Sequence, residues 1–215
     1  ALENHAALSL LDEVYAAPKP GLVDRIDSGA HADMKFEDFI LSTAAITPFL
    51  REMAVTAYQS CFTLPASPGA TRETDAALFS RLREIGKRAE REMYAATGGV
   101  NTHKGAVFTL GLLSVGAGLL YAKSGKLSAE TILDEVQNLV GDTLELELAE
   151  LSAGAAGSAH GEAVLHRDGT GGVRSAAAKG FPVLRNVALP LLRQYEAEGQ
   201  ATEASALNVL LHLIL

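Results

Sequence analysis

The feature of this sequence that most limits its fold is a long apolar segment, residues 105–122, in which no residue is charged. It lies between Lys104 and Lys123, and its length is that of a helix that spans a membrane, about 18 to 20 residues. Glycine, serine and threonine dilute its hydrophobicity, and neither a second such segment nor an aromatic belt accompanies it. We therefore interpret it as the buried core helix of a helical protein and expect no membrane partner.

The rest of the chain shows the spacing of amphipathic helices rather than that of strands. Apolar residues recur every three or four positions, as at Leu8, Leu11 and Val14. Few runs are rich in β-branched residues and bounded by turns, so the sequence predicts an all-α fold class. The predicted helices cover residues 2–16, 36–58, 74–96, 105–122, 128–151, 181–195 and 203–215.

Local signals mark the helix ends and leave one segment ambiguous. Pro18 and Pro20 end the first helix, because proline disfavours helical geometry in the residue before it, and Pro48 is expected to kink the second. Leucine and glutamate alternate over residues 144–148, which would also suit a strand. The apolar helical pattern continues into this stretch, and we predict helix.

Loops are expected over residues 18–34, 64–69 and 152–172, which are rich in proline, glycine or small residues. No internal repeat and no domain linker appears. We therefore predict a single compact multi-helix domain over residues 1–215, and we expect the natural chain to continue beyond Leu215.

Composition excludes several classes of protein. Of the 215 residues, 48% are hydrophobic and 20% are charged, which is typical of a globular chain and not of a disordered one. The net charge of −8, the 6% aromatic content and the absence of tryptophan argue against a nucleic-acid partner. The single cysteine, Cys61, excludes an internal disulfide framework. No nucleotide-binding P-loop, dinucleotide fingerprint, zinc helix or nucleophile elbow is present.

A first segment with chemical character lies in residues 18–34, between two predicted helices. It combines Lys19 and Arg25 with His31 and with aspartates such as Asp24 and Asp33. Carboxylates bind Mg²⁺ through oxygen, and lysine and arginine neutralise phosphate, so this mixture suits a Mg²⁺–polyphosphate site. Because the two prolines already stiffen the backbone, we expect the carboxylates not to be needed for the turn. A solvated turn with incidental ion pairs is the alternative.

A second such segment, residues 97–105, opens the apolar helix. Gly98 and Gly99 let backbone amides approach an anion, and Asn101 or Thr102 is a good helix N-cap. His103 and Lys104 fall in the first turn, where a cation is unfavourable unless an anion lies nearby. The pattern indicates a phosphate site, and the alternative is a glycine-stopped helix followed by a capped one.

Two weaker patterns remain. Arg174, with Lys179 near it, could clamp a phosphate, although an exposed loop arginine explains it as well. The acidic residues of 130–150 are interpreted as a solvated helix face. A metal cage built from Glu135, Asp142 and Glu145 is the less favoured alternative.

Residues 18–25 (PKPGLVDR), 29–34 (GAHADM) and 99–105 (GVNTHKG) closely resemble the motifs of the triphosphoribosyl-dephospho-CoA synthase family. Residues 172–174, followed by Gly180, Phe181 and Pro182, look like its third motif, but the acidic residue that usually follows the arginine is missing here. The resemblance extends in the same order from Leu8 to about Leu211, and the family usually continues to a further polar motif.

The resemblance implies a cytoplasmic enzyme that transfers the 5-triphosphoribosyl group of ATP to the ribose 2′-hydroxyl of 3′-dephospho-CoA and releases adenine. The product would be the prosthetic-group precursor for citrate lyase or malonate decarboxylase. The oligomeric state is left open, and a homo-oligomer is compatible with it.

The resemblance also implies roles for individual residues. Asp24 and Asp33 would bind Mg²⁺ or act as the general base, and His31 and His103 would hydrogen-bond phosphate or protonate the leaving adenine. The remaining substrate-binding residues would be the phosphate-binding cations Lys19, Arg25, Lys104 and Arg174, and the amide cradle of Gly98, Gly99, Asn101 and Thr102.

Two other functions share parts of this pattern. An all-α metal-dependent nucleotide hydrolase, such as a pyrophosphatase or an ADP-ribosylglycohydrolase-like enzyme, needs the same anion and metal ligands. A helical interaction domain without enzymatic activity would use the same residues only as caps and turns.

Overall fold

A computed structural model describes residues 2–62, 74–152 and 172–214. Within these ranges the regular structure is helical and no strand occurs, so the all-α prediction is confirmed. The α-helices are α1 (Leu2–Tyr15), α2 (Phe36–Ser60), α3 (Asp75–Ala96), α4 (Lys104–Ser124), α5 (Ala129–Ser152), α6 (Gly172–Ala178), α7 (Leu189–Ala197) and α8 (Thr202–Ile214).

The first five helices form where the periodicity predicts them. Helix α1 ends before Pro18, and α2 continues through Pro48. At the start of α2, Lys35 N–H donates to the Asp38 carboxylate at 2.9 Å, which satisfies a free donor beside the helix end. The ambiguous stretch at residues 144–148 is helical within α5, as predicted. The loop predicted over residues 64–69 lies outside the described residues, as do residues 153–171 of the loop predicted over 152–172.

The last predicted helix, over residues 203–215, is confirmed as α8, but the chain from Gly172 to Ala197 differs from the prediction. Helix α6 lies in a segment expected to be irregular, and the helix expected over residues 181–195 contains a π-helical turn at Leu184–Ala188 before α7 begins. Pro190 lies at the start of α7 and has no N–H to donate to a preceding carbonyl, so a regular α ladder is interrupted near it. The spacing of apolar residues does not separate a π turn from an α turn.

One compact unit, called unit 1 here, consists of the described residues of Ala1–Glu52, Ile85–Gly111 and Asn186–Leu215. Side chains from α1, α2, α3 and α4 form its core, and α7 packs against α8. The buried members of this core are Leu10, Ile46, Leu50, Ala89, Met93 and Val107.

The second compact unit, unit 2, consists of the described residues of Met53–Glu84 and Leu112–Arg185. Its close helix contacts depend on glycine: a Cβ at Gly118 would lie 2.3 Å from the Ala54 carbonyl oxygen, and one at Gly116 would lie 2.7 Å from that of Ile132. Helix α6 packs against α5, where a Cβ at Gly141 would meet Ala178. Helices α2, α3 and α4 each contribute residues to both units, and one domain over residues 1–215 stays a prediction.

Helix α4 has the length and apolar composition that a membrane span requires, and no other helix in residues 2–62, 74–152 and 172–214 does. Half of its most apolar window is buried inside the structure. Burial to this extent is what the core-helix interpretation requires, and that interpretation stays a prediction.

Candidate functional site

The loop of residues 18–34 belongs to unit 1, and its two halves lie in close backbone contact. Gly29 has a φ of +56°, and a Cβ at this position would lie 2.5–2.7 Å from backbone atoms of Gly21 and Leu22. The N–H of Ala30 donates to the carbonyl of Gly21 at 3.2 Å, which joins the two halves of the loop. Only glycine meets both the positive φ and the lack of space at residue 29.

Asp24 lies at the centre of this loop and is 3% exposed. Its carboxylate accepts three backbone N–H groups, from Lys19 at 2.8 Å, Ile26 at 2.7 Å and Asp27 at 3.2 Å. Burial would raise the pKa of Asp24, but these three donors and the Lys19 ammonium outweigh it and lower the pKa. The structure thus argues against the expectation that the loop forms without its carboxylates, because the side-chain oxygens of Asp24 are the acceptors of these three amides.

The two predicted phosphate-binding cations of the loop already have anionic partners. The Lys19 ammonium is buried and donates to the Glu13 carboxylate at 2.6 Å and to the Glu13 carbonyl at 2.7 Å. Arg25 stacks over the Tyr15 ring, donates to the Tyr15 carbonyl and pairs with Glu203 of α8 at 2.5 Å. Both side chains thus hold the loop against helices of unit 1, and a contact with phosphate stays a prediction for each.

His31 and Asp33 differ from these residues in being open to solvent. The Asp33 side chain is 72% exposed, and its carboxylate lies 4.0 Å from Nδ1 of His31. The backbone N–H of His31 donates to the Ser28 carbonyl at 3.0 Å, which fixes the backbone but leaves the imidazole free to face a ligand. Of Asp24 and Asp33, only Asp33 therefore has a carboxylate that is accessible from solvent.

The second segment, residues 97–104, closes α3 and opens α4 within unit 1. The hydroxyl of Thr97 lies within hydrogen-bond distance of the Met93 and Val100 carbonyl oxygens, at 2.9 and 2.7 Å. Gly98 and Gly99 have φ values of +65° and +97°, and a Cβ on either would meet no atom within 4 Å. The turn thus has the backbone of a glycine-stopped helix and open space beside it.

Helix α4 begins at Lys104, and Asn101 caps it. The Asn101 side chain accepts the N–H of Lys104 at 3.3 Å, and the N–H of Val107 donates to the His103 carbonyl at 2.7 Å. The N–H groups of Gly105 and Ala106 have no intrahelical acceptor in this geometry. The Lys104 ammonium is 3.7 Å from Glu90 and half-exposed, so it can turn towards a bound anion.

His103 is 4% exposed, and it contacts two other helices of unit 1, α2 and α3. Its Nδ1 lies 2.7 Å from the hydroxyl of Ser42, its ring makes an edge-to-face contact with Phe39 at 5.0 Å, and its backbone N–H donates to the Met93 sulfur. Burial, with a smaller contribution from Lys19, lowers the pKa of His103 to about 4.

Two buried polar atoms in this segment have no hydrogen-bond partner: Nε2 of His103 and the hydroxyl of Thr102. Within residues 2–62, 74–152 and 172–214 they are the buried side-chain polar atoms left in this state. An unpaired buried donor or acceptor is destabilising by about 1 to 3 kcal/mol, so such atoms are uncommon unless a ligand or water completes them.

Arg174 lies on α6 in unit 2 and is exposed. Its phosphate role stays a prediction. The acidic face of α5 makes ion pairs, from Asp134 to Arg185, Glu135 to Lys123 and Glu147 to Arg83. In the described part of the chain no group of three histidine, cysteine or carboxylate side chains is placed to bind a metal, and the solvated-face interpretation stays a prediction.

The two aspartates predicted to bind Mg²⁺ differ in whether their carboxylates are available to the ion. The Asp24 carboxylate is occupied by backbone donors, whereas the exposed Asp33 carboxylate is free to contribute one oxygen ligand. Mg²⁺ is commonly bound through one or two carboxylates together with substrate phosphates and water. One accessible carboxylate beside a polyphosphate substrate is sufficient for that arrangement.

Sequence reasoning missed the partners of the predicted residues, namely Ser42, Glu13 and Glu203. Ser42 lies in the second turn of α2 and is fully buried, and nothing in its local pattern separates it from an ordinary helix serine. Glu203 is 178 residues from Arg25, so no local spacing connects the two.

A family model described as ATP:dephospho-CoA triphosphoribosyl transferase matches residues 1–215. Among curated proteins, 2-(5''-triphosphoribosyl)-3'-dephosphocoenzyme-A synthase of Pectobacterium atrosepticum is 38% identical over 99% of this chain and 66% of its own length. The synthase of the same name from Klebsiella pneumoniae is 35% identical over 96% of the chain and 64% of its own length.

A protein of Vibrio cholerae named as the probable synthase is 37% identical over 99% of the chain and 65% of its own length. The chain therefore spans slightly less than two thirds of the length of these curated relatives. No solved structure matches the chain significantly.

Proposed function

Because the chain belongs to the ATP:dephospho-CoA triphosphoribosyl transferase family, we propose that it transfers the 5-triphosphoribosyl group of ATP to the ribose 2′-hydroxyl of 3′-dephospho-CoA. The bond between C1′ of the ATP ribose and the adenine nitrogen breaks, and a bond from C1′ to the acceptor 2′-oxygen forms. The hydroxyl proton leaves that oxygen, and adenine departs with one proton. The product is the prosthetic-group precursor for citrate lyase or malonate decarboxylase.

The observation that carries this proposal is the pair of unpartnered buried atoms at the N-terminus of α4, the His103 Nε2 and the Thr102 hydroxyl. Next to them in sequence, Gly98, Gly99 and Gly105 leave open space where a side chain would otherwise lie. Free amides and a positive helix end favour an anion there. A triphosphate supplies the negative charge and the acceptor oxygens that this segment lacks.

We assign the triphosphate to the second segment, with Lys104 as its mobile cation and Gly98, Gly99, Asn101 and Thr102 as the surrounding cradle. Arg25 and Lys19 reach a phosphate only if they exchange Glu203 or Glu13 for it, so their first effect is to fix the loop. Arg174 remains a proposed phosphate contact.

The reacting end of the nucleotide is assigned to the exposed pair of His31 and Asp33. Breaking the bond to adenine develops positive charge on the ribose, which a carboxylate stabilises, and the same group can remove the proton of the attacking hydroxyl. Asp33 is accessible for this step. Asp24 keeps the loop in shape through its backbone contacts, and a direct role for it requires that these contacts open.

Mg²⁺ bound to the ATP phosphates would neutralise their charge, with Asp33 as a protein ligand. We further propose a cytoplasmic location without nucleic-acid or membrane partners, which the net charge of −8 supports for nucleic acid. A homo-oligomer is compatible with this activity.

Mass spectrometry of the chain incubated with ATP, Mg²⁺ and dephospho-CoA tests the proposal. We expect one equivalent of adenine for each triphosphoribosyl adduct of dephospho-CoA. Release of phosphate or pyrophosphate from ATP alone would instead indicate a hydrolase. If ATP neither shifts the melting temperature of the chain nor yields a product, the chain is better explained as a helical interaction domain. His103→Gln removes the unpartnered Nε2 atom, and adenine release, phosphate release and the melting temperature are measured on this variant as well.

A further inference from the structure

Ser42 is a fully buried serine whose hydroxyl contacts the imidazole of His103. Its oxygen lies 2.7 Å from Nδ1, and this is the hydrogen bond that the hydroxyl makes among the described residues. The neighbouring Thr43 is also buried but donates to the Phe39 carbonyl of its own helix at 2.8 Å. The two adjacent hydroxyls thus have different partners, and only Ser42 faces the histidine.

The direction of this hydrogen bond decides which imidazole nitrogen carries the proton. If Nδ1–H donated to Ser42, the serine hydrogen would have no acceptor and Nε2 would be a buried acceptor without a donor. If Ser42 donates to Nδ1, the serine is satisfied and only the Nε2–H group lacks a partner. The second arrangement leaves fewer buried polar groups unpaired and is therefore the more stable one.

The surroundings of His103 also keep the imidazole neutral. Helix α2 presents Ser42 and the ring of Phe39, α3 presents Met93, and the charged group that acts on His103 is the ammonium of Lys19. Burial, followed by that ammonium, lowers the pKa of His103 to about 4. At neutral pH the imidazole is thus an N–H donor rather than an imidazolium acid.

We propose that Ser42 is a positioning residue, which holds His103 as the neutral Nε2–H tautomer so that the imidazole donates a hydrogen bond to an acceptor atom of ATP. The tautomer is a property of the free chain, whereas the contact with ATP rests on the proposed function. Nε2 is shielded from solvent in the free chain, so contact with ATP requires a local rearrangement beside the imidazole.

Nitrogen-15 NMR of histidine-labelled chain tests the tautomer without any substrate. The His103 signals are assigned by their loss in His103→Gln, and the two ring nitrogens are compared at neutral pH. We expect the proton on Nε2 and an Nδ1 that is unprotonated and hydrogen-bonded. A proton on Nδ1 in the wild-type chain would overturn the proposal.

Ser42→Ala removes the hydroxyl, and Thr43→Val is the matched control that removes the adjacent buried hydroxyl of α2. We expect Ser42→Ala to spread the proton over both ring nitrogens and to weaken ATP binding by about three- to tenfold, the range for one hydrogen bond. Thr43→Val should change neither readout. A pure Nε2–H tautomer and unchanged ATP affinity in Ser42→Ala would contradict the role of Ser42. If Ser42→Ala does not fold, the wild-type spectra decide.

Ligand titrations of the wild-type chain, followed at the Nε2–H signal, locate the acceptor. A response to inorganic tripolyphosphate with Mg²⁺ places it on the phosphates, and a response to adenosine places it on the nucleoside. No response to ATP overturns the ligand contact. If ATP moves the signal but no adenine is ever released, the proposed transfer is wrong while the positioning by Ser42 stands.

Discussion

The loop of residues 18–34 and the turn of residues 97–105 look alike in sequence, since each combines glycines with cations and polar side chains. In the structure they differ in how far their polar groups are satisfied. The buried groups of the loop are paired, Lys19 with Glu13 and Asp24 with three backbone amides. The turn keeps two buried atoms without a partner, on Thr102 and His103.

From this difference we expect the paired groups to shape the loop and the unpaired groups to bind a ligand. Removing one partner of a buried, paired charge leaves the other partner unsatisfied, so such a change should first affect folding. An unpaired buried group destabilises the free protein, and its contribution becomes favourable only when an acceptor arrives. Substitutions in the two segments should therefore divide into effects on stability and effects on ATP binding.

The largest expected effect contrasts two glycines that both have positive φ. Gly29→Ala places a Cβ 2.5 Å from the Gly21 backbone, whereas Gly98→Ala meets no atom within 4 Å. The free energy of unfolding should fall by about 3 kcal/mol or more for Gly29→Ala, from overlap added to the strain of positive φ. Gly98→Ala should lose only about 1 kcal/mol. Urea unfolding of both variants measures this, and equal losses would show that space does not distinguish the two segments.

The next effect compares Asp24→Asn with Asp33→Asn. The asparagine side chain in Asp24→Asn would turn an amide donor towards backbone donors, so the free energy of unfolding should fall by about 2 to 3 kcal/mol. Asp33 is exposed, and Asp33→Asn should leave stability unchanged while triphosphoribosyl transfer falls by about a hundredfold or more. Thermal unfolding and adenine release are measured on both. Wild-type transfer rates in Asp33→Asn would contradict the assignment of the base.

A smaller effect concerns pH. The pKa of His103 is about 4 in the folded chain, below its ordinary value of 6.5, so the unfolded chain binds a proton first as pH falls. The contribution of neutral His103 to the free energy of unfolding is therefore fully present above about pH 6.5. It is lost as the pH falls towards the folded pKa, by about 2 kcal/mol between pH 7 and pH 5. The lowered pKa of Asp24 acts in a separate window, below the ordinary aspartate value.

The measurement is urea unfolding of the wild-type chain and of His103→Gln at both pH values. We expect the wild-type chain to lose more of its free energy of unfolding between pH 7 and pH 5 than His103→Gln does. A difference that does not change with pH would mean that His103 is not held neutral by burial.

The smallest effect is expected for Lys104→Ala. Its ammonium is half-exposed and only 3.7 Å from Glu90, so one contact with a triphosphate should contribute about tenfold in ATP affinity. Lys126→Ala, an exposed lysine in unit 2, removes the same charge and serves as control. Calorimetric titration with Mg²⁺ and ATP compares them. Equal losses of ATP affinity in both variants would mean that only the net charge matters and that Lys104 does not contact the triphosphate.

The sequence predicts the helices well because their apolar spacing is local, and even the ambiguous residues 144–148 follow the pattern of their helix. It also marks both polar segments, because glycine and proline punctuate the chain there. The state of each charge is not predictable in this way. Asp24 and Asp33 look equivalent in sequence, but one faces three converging amides and the other faces solvent. The Ser42–His103 contact joins residues 61 apart, which no local pattern encodes.

The ion pair between Arg25 and Glu203 has a consequence for the order in which the chain folds. The same Glu203 carboxylate also accepts the N–H of Ala17 at 3.2 Å, across 186 residues of sequence. During synthesis the loop emerges long before its anchor, and closing so long a stretch of chain is entropically slow compared with forming the local helices. We therefore expect the contacts of Arg25 and Ala17 with Glu203 to form late, after the local contacts of Asp24. In pulse-labelling hydrogen exchange during refolding, we expect the amide of Ala17, which donates to Glu203, to become protected after the amides of α2 and α3.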